Sequence, residues 1–267
     1  MEMKVGFIGV GNMASAIIYG LVKEMPAKDI LIYNRTQEKA ERFGEETGVT
    51  VISAAKELVL QADVVIVAVK PYVFELILPD LKSAFEEKKP LMVSIAAGLS
   101  LAQLAEFVGN ETRIMRVMPN VNATIGESMS GLCGNELATA EDEQNVKSIF
   151  EAVGDVAVIP EKDFSTFAAL AGSSPAFIYI FIDAMARAGV KAGLARKQAL
   201  EIAAQTVLGS AKMVLESGIH PYELVDQVSS PGGTTIAGVA SLMDDAFVAS
   251  VMHSIEATMK REAELSE

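Results

Sequence analysis

The sequence is poor in the residues that most often carry proton and metal chemistry. Across 267 positions it has one cysteine and two histidines. A single thiol, Cys133, excludes an intramolecular disulfide and fits a reducing compartment. As a nucleophile it would want a histidine. It sits instead in Ser130-Gly131-Leu132-Cys133-Gly134, which reads as a strand end carrying a buried structural thiol. His220 precedes Pro221 at a helix start and His253 lies inside the last helical pattern, so both read as structural. No metal site is expected. Positive charge is also short, with 22 Lys and Arg against 35 Asp and Glu and a net charge of −13. Nucleic acid and anionic membranes need a basic surface, so neither is an expected partner, and the acidity reads as solubility. The longest apolar stretches, such as residues 176–182, fall well short of the roughly 20 residues that span a bilayer. A strand pattern starts at Lys4 with no charged lead into a cleavable apolar stretch. The expectation is therefore a cytoplasmic chain without a secretory signal. Low-complexity linkers and internal repeats are absent too.

What is present is a regular alternation. Short apolar runs at 5–8, 30–33, 64–69, 91–95 and 114–117 read as strands. Helical patterns at 13–22, 37–46, 54–61, 73–85 and 101–108 lie between them. Val- and Ile-rich strands, apolar on both faces, predict a parallel sheet covered by helices on both sides, the doubly wound α/β arrangement. Weaker strands at 130–133 and 156–159 flank a helix over about 140–152. After Pro160 no strand pattern remains, and 176–192, 196–217, 221–228, 235–243 and 247–264 all read as helices. The predicted fold class is thus α/β, a Rossmann-type, mostly parallel doubly wound sheet followed by an all-helical domain, divided as 1–160 and 161–267. Residues 176–182 are apolar on all sides, which predicts burial in a domain core or a subunit interface.

Gly9-Val10-Gly11-Asn12-Met13-Ala14 matches G-x-G-x-x-G/A between a predicted strand and a predicted helix, the context in which that pattern binds a dinucleotide. Gly9 permits the tight turn, Gly11 lets the pyrophosphate approach the backbone, and Ala14 keeps the helix close to the strand. The helix N-terminus offers free N–H groups to phosphates. The second strand ends in Asn34-Arg35-Thr36, with Lys39 one turn on and no carboxylate to bond a ribose 2′-hydroxyl. Arg35 can grip a 2′-phosphate, which predicts NADPH as cofactor, with NADH as a second donor. Ala68-Val69-Lys70-Pro71 and Ala96-Ala97-Gly98 end further strands and are expected to line the cofactor crevice. Lys70 reads equally as a cofactor contact or a solvated loop lysine. Arg116-Val117-Met118-Pro119-Asn120 reads as a turn facing the crevice, or with Arg116 structural.

Two later segments resemble no ordinary connection. Gly172-Ser173-Ser174-Pro175-Ala176 reads as serines capping a helix that starts at a proline. Ser229-Ser230-Pro231-Gly232-Gly233-Thr234-Thr235 brings glycines, hydroxyls and backbone N–H groups to a helix start, a ready carboxylate site unless it is a plain Gly-Pro turn.

Through these motifs, and most closely through residues 228–238, the whole chain resembles the pyrroline-5-carboxylate reductases. It departs from them at Ser174, where the family usually has Gly, and at Met243, where it usually has an acidic or amide residue. The resemblance implies reduction of the C=N bond of 1-pyrroline-5-carboxylate to L-proline, the last step of proline biosynthesis. It implies a homodimer, or a ring of dimers (a homodecamer), built through the helical domain. The substrate would lie between the nicotinamide and the Gly-Gly-Thr-Thr turn. Its carboxylate would be held by the turn's N–H groups and by Ser230, Gly233 and Thr234. Thr235 would be the catalytic hydroxyl near the imine nitrogen. An imine can enter already protonated, so positioning suffices and no strong acid is required. A hydroxyacid dehydrogenase of related fold would instead need a base, commonly a lysine on the long interdomain helix, and residues 165–185 contain none. A non-catalytic relative should have a degraded Gly-Gly-Thr-Thr turn, and this one is intact.

Overall fold

The computed structural model describes residues 3–266 and divides into two compact units. One runs to Gly172 and takes in the chain from Arg261; the other spans Ser173–Lys260.

The first unit is built on an eight-stranded sheet of order β3-β2-β1-β4-β5-β6-β7-β8. Its strands are β1 Val5–Ile8, β2 Ile30–Tyr33, β3 Thr50–Val51, β4 Val64–Val67, β5 Leu91–Ser94, β6 Ile114–Met118, β7 Ser128–Gly134 and β8 Gly154–Val158. All neighbours run parallel except β6 and β7, whose antiparallel register sets Arg116 opposite Cys133. The helices are α1 Asn12–Leu21, α2 Gln37–Thr47, α3 Ala55–Gln61, α4 Pro71–Lys88, α5 Leu101–Val108 and α6 Ala140–Glu151, followed by the short α7 Phe164–Phe167.

The Val- and Ile-rich strands fold this way because both faces are covered. Val5, Phe7, Ile66 and Val93 pack with Ile17 of α1 and Ala40 of α2 on one side. Ile8, Val65, Val67 and Met92 pack with Leu58 of α3, Leu78 of α4 and Leu104 of α5 on the other. This doubly wound arrangement is the predicted one. The two-residue β3 escaped the sequence reading because so short an edge strand carries no periodicity.

The second unit is all-helical: α8 Ser174–Lys191, α9 Arg196–Ser217, α10 Pro221–Val228, α11 Thr234–Asp244, and α12 Phe247–Ser266, most of which belongs to it. α8 and α9 meet through buried Ala186, Ala199 and Ala203. Asp183 on α8 accepts from Arg187 and from Arg196 at the start of α9, and these partners hold its carboxyl below the usual range.

Two expectations are corrected here. Ser173 does not cap a new helix, because it has helical angles (φ −94°, ψ −33°) and its side chain caps nothing. A π-helical segment, Ala168–Ser173, joins α7 to α8. That wider turn carries the helix through Pro175, whose ring and missing N–H would otherwise break it. Because of this continuity, Glu161–Lys191 is a 31-residue helical stretch containing an 18-residue window of mean hydropathy 1.5, enough by length and composition alone to cross a membrane. The bent pair α11–α12 passes the same test taken together. Neither contains an unbroken apolar run of spanning length in the sequence. Of the two places expected for the all-apolar stretch, the core of its own domain is excluded, since Ile178, Tyr179 and Ile180 are 45%, 56% and 70% exposed in the single chain.

Candidate active site

In the first unit the strand order reverses between β1 and β4. The loops leaving the C-terminal ends of these parallel strands diverge there and open a crevice. Gly9 leaves β1 with φ +97°, and a Cβ on it would lie 2.7 Å from Val69 Cγ1 and 3.0 Å from the Ala68 carbonyl oxygen. Glycine is therefore required by the neighbouring loop itself. Gly11 differs: a Cβ there would meet nothing within 4 Å. The space beside it is open, as a cradle for a bound phosphate must be. No side chain caps α1, so its first N–H groups face that space. Asn12 is exposed and Met13 half-buried, while Ala14 is 1% exposed against the core.

Asn34 is fixed by the turn. Its Oδ1 accepts the Val10 N–H at 3.2 Å and its Nδ2 donates to the Thr36 carbonyl at 3.0 Å. The carboxamide thus braces the glycine turn, a task the sequence alone did not reveal. Arg35, beside it, is exposed and forms no ion pair among the described residues. Lys70 is the exposed N-cap of α4, whose first residue is Pro71. Ala68 and Val69 are half-buried after β4; Ala96 is half-buried and Ala97 and Gly98 are exposed after β5, with Gly98 at φ +79°. These residues fit a dinucleotide: an open glycine turn, an uncapped helix start and a free guanidinium beyond the second strand. The cavity of about 610 Å³ between Lys82, Glu86, Lys89, Val108 and Arg113 lies elsewhere, before the N-terminal ends of β5 and β6.

The expectation that Pro119 and Asn120 face the crevice is overturned. Both are buried. Asn120 accepts from Asn122 N–H at 3.1 Å, donates through Nδ2 to the Ala171 carbonyl at 2.9 Å, and donates its own N–H to Ser128 Oγ at 3.1 Å. Arg116 is structural as well. It pairs with Glu161 Oε1 at 2.7 Å and lies over the Phe164 ring at 4.4 Å. Cys133 is buried, and burial pushes its thiol up to about 11, so the protonated, unreactive form is the one present near neutrality.

In the second unit, Ser230-Pro231-Gly232-Gly233 forms a turn closed by the Gly233 N–H donating to the Ser230 carbonyl at 3.0 Å. Proline followed by Gly232 at φ +68° is the sequence of a type II turn. A Cβ on Gly233 would lie 2.4 Å from Ser230 Oγ, so that hydroxyl closes tightly over the backbone. Gly233 is also the N-cap of α11, and no side chain caps the helix. The N–H groups of Thr234, Thr235 and Ile236 therefore head α11 without intrahelical partners, and both threonines are exposed. The turn is a formed anion-receptive helix start, with the Gly233 N–H already engaged. The Ser229 hydroxyl is buried without a partner. His220 caps α10, its Nδ1 accepting the Tyr222 N–H at 3.3 Å, and His253 sits exposed on α12. Among the described residues no group of His, Cys, Asp and Glu could hold a metal.

Comparison with known proteins covers both units. Residues 161–265 match the family model for pyrroline-5-carboxylate reductase dimerisation. Residues 4–98 match that for NADP oxidoreductase, coenzyme F420-dependent. The pyrroline-5-carboxylate reductase of Arabidopsis thaliana is 44% identical over 100% of this chain and 96% of its own. That of Escherichia coli K12 is 41% identical over 100% and 99%. The crystal structure of Plasmodium falciparum pyrroline carboxylate reductase with NADP bound superposes with a TM-score of 0.86 at 32% identity, covering 100% of this chain and 99% of that one.

Proposed function

The chain belongs to the pyrroline-5-carboxylate reductase family, and from that premise we propose how its residues perform the family's reaction, the NAD(P)H-dependent reduction of 1-pyrroline-5-carboxylate to L-proline. The observation that carries the proposal is the uncapped start of α11 behind the Ser230–Gly233 turn. It offers converging N–H groups and hydroxyls to a carboxylate, as proline's precursor requires.

The cofactor is held by Gly9, Gly11, Asn12, Met13 and Ala14 at the start of α1, with Ala68–Pro71 and Ala96–Gly98 along the crevice. Asn34 braces the glycine turn. Arg35 grips a 2′-phosphate, which favours NADPH over NADH. Bound there, NADPH supplies the hydride that reduces the C=N bond. Ser230 and Thr234 hold the substrate carboxylate through hydroxyl and backbone donors, and Gly233 keeps the backbone bare enough for close approach. The Thr235 hydroxyl orients the ring nitrogen. With a basic imine already protonated, orientation replaces the strong acid that the chain does not supply.

Residues 1–160 are the cofactor-binding part and 161–267 the helical dimerisation and substrate part. The exposed apolar faces of α8 to α12, Ile178, Ile180, Leu208 and Leu215 among them, are covered by a second copy of the chain rather than by lipid. Obligate dimer interfaces are of this apolar kind. A homodimer, or a homodecameric ring of dimers, working in the cytoplasm follows. The deciding experiment measures NADPH oxidation by absorbance with pyrroline-5-carboxylate and with a six-membered cyclic imino acid. Oxidation with the five-membered substrate is the expected result; none with it sinks the reading.

A further inference from the structure

The loop between β5 and α5 has little to hold it. Ala97 and Gly98 are exposed, and a Cβ on Gly98 would meet nothing within 4 Å. At its start the Ile95 N–H reaches the Val67 carbonyl at 3.5 Å, and the Ala96 N–H bonds the Ser94 hydroxyl at 3.3 Å. At its end Ser100 and Gln103 form a local capping box. One strong bond ties the loop's far end to a distant segment: the Leu101 N–H donates to Glu161 Oε1 at 2.6 Å.

That acceptor is itself held in place. The same oxygen accepts Arg116 Nη1 at 2.7 Å. Arg116 sits on β6, paired in register with Ser94 of β5, and its guanidinium rests on Phe164. A lone glutamate has several rotamers to lose; one clamped by a stacked arginine does not, and a carboxylate at a helix start is favoured by the helix dipole.

We propose that Glu161 is a positioning residue for the cofactor loop Ala96–Gly98, acting through the Leu101 amide with Arg116 as its clamp. The proposal rests on the reading that this loop contacts the cofactor. Glu161 sits on no cofactor-binding segment itself; it opens the 161–265 stretch that matches the dimerisation family. It therefore links the start of that stretch to the loop placed along the cofactor crevice.

The test is NADPH binding to the full-length enzyme by fluorescence titration, alongside kinetics. Glu161→Ala should weaken NADPH about tenfold and raise its KM, with kcat within about twofold of the parent. Glu161→Gln, which keeps an oxygen for the amide, should stay within about threefold. Leu101→Pro removes the N–H donor at the first position of a helix, where proline is accepted, together with the side chain packed on the core, and should behave like Glu161→Ala. Leu101→Ala, which trims the side chain and keeps the N–H, should bind NADPH like the parent. If Glu161→Ala does not fold, the Gln and Pro variants carry the test. Parent-like NADPH affinity in Glu161→Ala or Leu101→Pro, or loss of kcat alone, overturns the proposal. Ala97→Leu, which adds bulk at an exposed loop position without a positive φ, separates the two readings. If it too binds NADPH normally, the loop is not on the cofactor and both fall. If it weakens NADPH while Glu161→Ala does not, only the tether falls.

Discussion

The Asn120 carboxamide donates to the carbonyl oxygen of Ala171 at 2.9 Å, across 51 residues of sequence. Ala171 lies one helical turn before Pro175, which has no N–H to return to that oxygen. A side chain from the turn after β6 thus supplies that oxygen with a donor. Asn120→Ala would leave the Ala171 carbonyl and the Asn122 amide short of a partner in a buried place, a loss of about 1–3 kcal/mol. Thermal unfolding should show a midpoint several degrees lower, with KM for both substrates unchanged.

The two glycines of the cofactor turn should separate in their effects. Gly9→Ala forces a side chain into Val69 at φ +97° and should cost about 1–3 kcal/mol of stability. Gly11→Val points into open space and should leave the unfolding midpoint where it is while abolishing NADPH binding. Paired denaturation and titration experiments check both. A destabilised Gly11→Val would show that the space is not a ligand cradle.

Arg35 is free to meet a phosphate that NADH does not have. Arg35→Ala should raise the KM for NADPH about tenfold, the loss of one charge-assisted contact, and leave that for NADH unchanged. Equal loss with both cofactors would remove the assignment.

Thr235→Ala should lower kcat about 10²-fold, as for other groups that orient a reacting atom, with NADPH affinity preserved. Steady-state kinetics with a parallel NADPH titration read the two separately.

Cys133 should resist thiol reagents in the native enzyme near pH 8 and react only on unfolding, at about the normal rate of a free thiol. Burial raises its folded-state value to about 11, so the native state keeps a proton that the unfolded chain releases. The thiol's contribution to stability is therefore constant below about pH 8.5. It is lost as pH rises toward about 11. Denaturant midpoints of the parent and Cys133→Ala should converge or cross over that alkaline range. A gap independent of pH would contradict the burial argument.

The sheet was legible in the sequence because its strands are buried on both faces. Val64-Val65-Ile66-Val67 has no polar position to misplace, and Gly9 and Gly11 announce the turn that follows β1. The Ser230–Thr235 turn was legible through its glycines. Interactions between residues far apart in sequence were not. Nothing local marks Asn120 as the partner of Ala171, or Glu161 as that of Leu101 and Arg116. Asn120, in a Pro-Asn pair, read as a crevice turn because that dipeptide suits exposed turns as well as buried ones. The serines before Pro175 read as a cap for a similar reason. A helix start and a π-helical detour around a proline share the same local residues, and only the backbone path distinguishes them.

The second unit's own core is three alanines, Ala186, Ala199 and Ala203, among its described hydrophobic residues. So little buried apolar area cannot offset the entropy of ordering about 90 residues. On the proposal that a second copy covers its apolar faces, that copy supplies the missing stabilisation, which then obeys mass action, and dilution acts on this unit as a denaturant. Its melting temperature should climb with protein concentration, while a unit built on the sheet should melt at a temperature set by its own packing.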